Sequence, residues 1–277
     1  MPTTRFAPSP TGFLHLGHAA SAFAAHAAAQ GGRFILRIED IDLTRCREEF
    51  VSAIFEDLAW LGLTWEIPVR RQSEHFAEYR HELDKLDEMS LLYPCFCTRK
   101  DIMREAAAAD QAPHGPNGPL YPGTCRHLNQ SQRAELIGSG QSFSLRLNME
   151  KAQRIAGVLF WHDRAQGRQQ ARPEIFGDVI LARKDTPTSY HLAVTLDDHL
   201  QEIELITRGE DLFLATHVHR LLQALLGYKT PEYHHHPLLR DENGKRLAKR
   251  DNAPALRDLR KEGRSVAEIL HIINTTA

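Results

Sequence analysis

The chain has 277 residues, 42% of them hydrophobic and 25% charged, with a formal net charge of −2. That length can bury one substantial core plus a smaller inserted or appended unit, and the near-neutral balance excludes a wholly basic nucleic-acid binder while leaving room for a local basic patch. No basic stretch followed by an apolar one marks a secretory start, no apolar run is long enough to cross a bilayer, and four cysteines argue for a reducing cytoplasm rather than a disulfide scaffold.

Residues 4–7 read as a short strand, because Pro8 and Pro10 disfavour helix at the residues before them. The alanine-rich run 19–29 has high helix propensity, and His26 within it argues for a buried helix rather than a signal core. Alternation over 34–38 predicts a strand, and the spacing of Val51, Ile54, Leu58 and Leu61 predicts a helix over 48–61, so the chain begins βαβα. Another amphipathic helix is expected over 76–91. The order then changes: a Pro/Gly-rich loop over 112–123, a helix near 130–137 and strands over 142–147, 160–163 and 179–182 indicate an inserted, antiparallel unit. A strand over 203–208 and a helix over 217–226 resume the α/β pattern, and helical spacing over 256–273 closes it. The expected division is a first α/β half at 1–92, an insertion at 93–186, a second half at 187–228 and a C-terminal segment at 229–277.

Two stretches carry chemistry. His15-Leu16-Gly17-His18 follows Arg5-Phe6-Ala7-Pro8-Ser9-Pro10-Thr11-Gly12 where a strand hands over to a helix. A helix N-terminus offers backbone N–H groups to an anion, Gly12 and Gly17 permit close approach, and histidines at i and i+3 share one face, so both could donate to one triphosphate. In isolation, a histidine in a turn is most often only a solvated polar residue. The second stretch is Cys95-Phe96-Cys97 with Cys125, which bracket the Pro/Gly-rich loop. Three thiolates and one further donor satisfy tetrahedral Zn²⁺, and closure by a metal would order a segment with little core of its own. Residue chemistry leaves His114 or His127 as the fourth donor, or ordinary reduced thiols, as Cys46 is read.

Taken together, the first stretch, Arg246-Leu247-Ala248-Lys249-Arg250 about 230 residues further on, Arg37-Ile38-Glu39-Asp40, and Pro187-Thr188-Ser189-Tyr190-His191 with Arg208 resemble the signatures of class I aminoacyl-tRNA synthetases, in particular the glutamyl/glutaminyl subgroup. The resemblance runs from Arg5 to about Arg250. It implies a Rossmann-type catalytic domain interrupted by an inserted zinc-containing, strand-rich domain and followed by a C-terminal helical segment. It also implies that His15, Gly17, His18 and Lys249 bind ATP, with His15, His18 and Lys249 catalytic and Gly244 allowing the Lys249 loop to move. Arg5, Ala7, Ser9, Glu39, Tyr190 and Arg208 would form a glutamate site, with Glu39 facing the α-ammonium. For the metal, the resemblance points to Tyr121 beside Cys95, Cys97 and Cys125. Two departures stand out: Ala248 replaces a Ser of the family signature, and Val194 stands where larger relatives often carry Asn.

Activation is attack of an α-carboxylate on the α-phosphate of ATP, accompanied by Mg²⁺, so alignment and charge neutralisation suffice and no nucleophilic side chain is needed. Arg5 and Arg208 supply planar donors that suit a carboxylate better than an amide. Only 27 residues follow Arg250, where full-length members continue into an anticodon-binding domain. The chain therefore resembles the short paralogues of the subgroup, which activate L-glutamate without tRNA and transfer it to the queuosine base in the anticodon loop of tRNA(Asp). A truncated enzyme charging an acceptor end, a ligase of another family with a similar phosphate site, and a non-catalytic amino-acid-binding regulator are the alternatives. A cytoplasmic monomer with no membrane segment is expected.

Overall fold

The computed structural model describes residues 1–108, 114–116, 118–239 and 254–276. In chain order, β1 (Thr4–Phe6), α1 (Leu16–Ala29), β2 (Phe34–Ile38), α2 (Glu48–Trp60) and β3 (Glu66–Arg71) come first. Then come α3 (Phe76–Glu88), β4 (Leu92–Cys95), α4 (Arg99–Ala108), β5 (His114–Gly115), β6 (Gly118–Pro119), α5 (Gln130–Gly138), β7 (Ser144–Leu147) and α6 (Met149–Ala156). β8 (Phe160–Asp163), β9 (Gly167–Gln170), β10 (Ile180–Ala182), α7 (Tyr190–Leu200), β11 (Leu205–Gly209), α8 (Ala215–Leu225) and β12 (Glu232–His236) follow, and α9 (Leu256–Lys261) and α10 (Val266–Thr276) close the order. No helix among the described residues is long and apolar enough to cross a membrane.

Two sheets stand edge to edge. The first is parallel, in the order β1-β2-β3; the second runs β11-β12-β8-β9, parallel until the β8–β9 hairpin. The backbone N–H groups of Glu204 and Leu205 both donate to the Thr3 carbonyl, at 3.0 and 3.1 Å, which sets β11 beside β1. The strand order reverses direction there, and the crevice beyond the carboxyl ends of strands at such a point is where α/β sheets bind ligands.

Helix α1 covers that junction because its buried stripe, Leu16, Ala19, Ala22, Ala25 and Ala29, follows helical spacing with almost no side-chain bulk. The helix lies close enough for the Thr4 hydroxyl to donate to the Ala25 carbonyl at 2.8 Å. Gly32, after the helix, is required for the same reason, since a Cβ there would lie 2.7 Å from the Pro2 carbonyl oxygen.

β10, β7 and β4 form an antiparallel sheet, as an inserted unit requires. Its apolar face is not a separate core: Leu92, Leu147 and Leu181 pack in one cluster with Leu83 of α3, Leu192 of α7 and Leu221 of α8. β8 departs from the expected grouping within 93–186, because it pairs with β12 and packs Trp161 against Ile206 and Tyr233. The spacing over 256–273 resolves into two helices: Gly263 takes φ 80°, and Ser265 and Glu268 cap the second reciprocally, with Ser265 N–H to Glu268 Oε2 at 2.7 Å and Glu268 N–H to Ser265 Oγ at 3.2 Å.

Candidate active site

The carboxyl ends of β1, β2, β11 and β12 open into a cavity of about 560 Å³. β1 and the turn after it supply Arg5, Ala7 and Ser9; the start of α1 supplies His15, Gly17 and His18. Glu39 follows β2, Tyr190 is the first residue of α7, and Arg208 lies in β11. Residues named from motifs more than two hundred positions apart thus share one wall. Lys249, with Gly244, Arg246, Ala248 and Arg250, lies outside the described residues. On one side of that segment Leu239 lines the cavity; on the other, Ala255 forms an antiparallel bridge with His15, and the Leu256 N–H donates to the Leu14 carbonyl at 2.8 Å.

The two histidines cap the helix they were expected to adorn. α1 begins at Leu16, with His15 as its extended N-cap; His15 Nδ1 accepts from the Gly17 N–H at 3.1 Å, and His18 Nδ1 accepts from the His15 N–H at 3.1 Å. The rings lie 3.9 Å apart. Two of the backbone N–H groups expected to meet a phosphate are therefore occupied by imidazoles. With Nδ1 accepting, each ring carries its proton on Nε2, so the imidazoles take over as donors from the backbone they cap.

Arg5 and Arg208, equivalent in the sequence, have different surroundings. Arg5 Nε donates to Asp198 Oδ1 at 2.9 Å and Nη1 to the Thr207 carbonyl at 3.0 Å. The same carboxylate oxygen accepts from Nη1 of the fully buried Arg37 at 2.9 Å, and Arg37 Nη2 reaches Glu39 Oε1 at 3.2 Å. Burial acts to raise the Asp198 carboxyl, but Arg5 and Arg37 prevail and hold it below the usual carboxylate range. For Glu39, burial prevails over Arg37 and Arg5 and raises it, so an ammonium placed beside it would favour its charged form. Arg208 instead donates to His235 Nε2 and His219 Nδ1, both at 3.1 Å, and to the Thr216 hydroxyl. Burial raises the Tyr190 phenol, keeping its hydroxyl as a donor.

Sequence reasoning missed Asp198 and this histidine cradle. The run Tyr233-His234-His235-His236 is the one visible signal, and it shows no apolar alternation that would mark a strand.

Away from the cavity, the thiols of Cys95, Cys97 and Cys125 lie within 4.8 Å of one another. Cys97 Sγ is 3.5 Å from Cys125 Sγ and 3.7 Å from the Tyr121 hydroxyl. Zn–S bonds of about 2.3 Å put tetrahedral ligands about 3.8 Å apart, and these two separations are of that size, so the three thiols could hold a metal ion. Among the described residues no His, Asp or Glu joins this group, so His114 and His127 are not its fourth member. The Phe96 N–H donates to Cys125 Sγ at 3.4 Å, a bond that favours the thiolate form. Burial and the Cys125 thiol push Cys97 up to about 12, whereas for Cys125 burial is outweighed by hydrogen bonds with the Tyr121 hydroxyl and the Phe96 N–H, which hold its thiol below the ordinary value. Cys46 stands apart, but not in a core as expected: it is half-buried in the loop before α2 and outside the hydrophobic clusters, with burial and the nearby Asp40 raising its thiol to about 11.

The family model described as tRNA synthetases class I (E and Q), catalytic domain, matches residues 2–274. The chain belongs to this family and is a ligase of the class I aminoacyl-tRNA synthetase type. It is 49% identical to the Glutamyl-Q tRNA(Asp) synthetase of Rhodobacter capsulatus, with 98% of this chain and 99% of that protein covered. It is 36% identical to the glutamate–tRNA ligase of Hydrogenobaculum sp., with 95% of this chain but 55% of that protein covered. A crystal structure of the glutamate tRNA ligase of Elizabethkingia meningosepticum, in complex with its amino acid, is similar with a TM-score of 0.75 and 28% identity, covering 89% of this chain and 51% of that one. The chain thus spans about half the length of these two ligases.

Proposed function

We propose that the chain activates L-glutamate with ATP and Mg²⁺, without tRNA, and transfers the glutamyl group to the queuosine base in the anticodon loop of tRNA(Asp). The carrying observation is the single cavity in which the imidazole pair at the start of α1 faces Arg208, Glu39 and Tyr190. In this reading Arg208 and Arg5 take the side-chain carboxylate and Tyr190 adds a phenolic hydrogen bond. Glu39 holds the α-ammonium and thereby aims the α-carboxylate. Ala7 and Ser9 shape the floor beside them. His15 and His18 donate from Nε2 to phosphate oxygens at Gly17, where the missing side chain leaves room. Lys249 meets the charge that develops on pyrophosphate; the anchoring of Leu239 and Ala255 at the cavity supports this, because six residues of extended chain reach about 20 Å. Cys95, Cys97, Tyr121 and Cys125 would hold Zn²⁺, which would supply structural closure of the loop they bracket.

The high identity to a relative named for glutamyl-Q and tRNA(Asp), over nearly the whole of both chains, supports the choice of acceptor. A hairpin loop suits such a reaction, since unpaired bases can be splayed into a protein pocket. The test is incubation with labelled glutamate, ATP and Mg²⁺ and tRNA from strains with and without queuosine. Label confined to the queuosine-containing pool is expected; equal labelling of both pools would replace this reading with charging of a tRNA acceptor end.

A further inference from the structure

Arg208 is 6% exposed, yet among the described residues no carboxylate lies within ion-pairing distance of it. Buried arginines are ordinarily paired with acids. Arg5 and Arg37 in the same site share Asp198 at 2.9 Å. What surrounds Arg208 is two imidazoles and a hydroxyl.

A guanidinium has N–H groups on every nitrogen and no lone pair to offer. Each imidazole nitrogen facing it must accept, which decides both tautomers. His219 carries its proton on Nε2, 3.1 Å from His191 Nδ1, and His235 carries its proton on Nδ1, 2.6 Å from Asp163 Oδ2. Asp163 is held in turn by the backbone N–H groups of Ala165, Gln166 and His235 at 2.9, 3.0 and 3.1 Å. Burial and the Arg208 charge also keep both rings neutral, pushing His219 well down and His235 to about 4.

We infer that His219 and His235 are positioning residues that grip Arg208 through neutral acceptors, so that its charge is left uncancelled at the cavity and selects a ligand carboxylate over the isosteric amide. A carboxylate in their place would orient the guanidinium equally well but cancel its charge, and an amide ligand would then serve nearly as well as an acid. The grip uses three of the five guanidinium N–H groups, leaving two for a bidentate partner. This inference rests on the glutamate reading above and adds the source of its selectivity.

The test compares two substitutions of equal size at His219 in the full chain, by glutamate-dependent ATP–pyrophosphate exchange with glutamine as competitor. In His219→Asn the amide oxygen takes the place of Nδ1, and KM for glutamate stays within about threefold of the unsubstituted value. His219→Asp adds the charge, and KM rises about tenfold or more, the worth of one charge-assisted hydrogen bond, with kcat retained and discrimination against glutamine reduced. Equal KM values in the two variants would overturn the inference alone, whereas absence of glutamate-dependent exchange in the unsubstituted chain would overturn the glutamate reading. Nitrogen NMR of the unsubstituted protein with labelled histidine needs no variant to fold. At about pH 6 it should show neutral Nε2–H for His219 and neutral Nδ1–H for His235; an imidazolium at either position would also overturn the inference.

Discussion

Replacing Asp198 with Asn keeps the shape of the side chain and removes the charge shared by two buried guanidinium groups. Asp198 Oδ1 accepts from Arg5 Nε and from Arg37 Nη1, each at 2.9 Å, and Arg37 has no exposed surface. The amide oxygen, with its two lone pairs, can still accept from both, but each bond is then made to a neutral acceptor. Exchanging two charge-assisted bonds for bonds to a neutral acceptor costs about 2 kcal/mol in all, and leaving a buried charge under-compensated brings typical losses to about 3–5 kcal/mol. Asp197 Oδ2, 3.7 Å from Arg37 Nε, and Glu39 Oε1, 3.2 Å from Nη2, retain part of the compensation. The expected loss is therefore about 3 kcal/mol, a large share of the roughly 5–15 kcal/mol that holds a domain together. Equilibrium urea unfolding at neutral pH measures it. Because the folded carboxyl lies below its usual range, its stabilisation is fully present above the unfolded pKa near 4 and is lost as pH falls through the folded value. The gap between Asp198→Asn and the unsubstituted chain should accordingly be full at pH 7 and close below about pH 4. A loss under about 1 kcal/mol at pH 7 would refute the view that this carboxylate neutralises the floor of the site.

Asp57 runs the other way: burial, opposed by Arg260 at 3.7 Å, raises its carboxyl to about 6. The folded state holds that proton more tightly than the unfolded chain, so the contribution is present at about pH 4 and lost as pH rises through about 6. Asp57→Asn should stabilise by about 1–3 kcal/mol at pH 8 and by almost nothing at pH 4 in thermal denaturation; destabilisation at pH 8 would mean that the Arg260 attraction dominates. Metal analysis should find about one zinc per chain, with Cys97→Ser or a chelator removing it and exposing the segment between Cys97 and Cys125 to protease. A metal-free native protein as resistant as the loaded one would end the zinc reading. Lys249→Ala should abolish adenylate formation with unfolding and zinc content unchanged, and near-normal exchange in that variant would remove Lys249 from the mechanism.

Much of the first half is legible without coordinates, because local signals agree there. The strand 34–38, expected to alternate, is instead a short apolar run broken only by Arg37 and buried along its whole length, as a strand covered on both faces is; α2 has a clean apolar spacing, and prolines and glycines punctuate the turns. β3 and β12 are not legible. β3 carries Pro68 and three charged residues at an edge, and β12 buries Tyr233 and His235 alternately in a run whose composition is polar throughout. Nor does the spacing over 142–182 separate β8 from its neighbours: β7 and β10 pair with each other, whereas β8 crosses to β12 through contacts remote in sequence. The motif residues around the cavity are readable as types, because chemistry restricts which side chains can serve a phosphate or a carboxylate.

Sequence by itself determines the inventory: an imidazole pair at a helix start, two arginines, an acid at the end of a strand, and a Cys-X-Cys that meets a third thiol. Their periodicity and caps place each on its own element, since propensity and capping act over a few residues. Only the tertiary structure decides which arginine is neutralised. Asp198 is 193 residues from Arg5, and the imidazoles that hold Arg208 arrive from a helix and a strand after it. Electrostatic compensation depends on distance in space and on exclusion of water, and neither is written in the order of the residues until the sheet and its helices close around them.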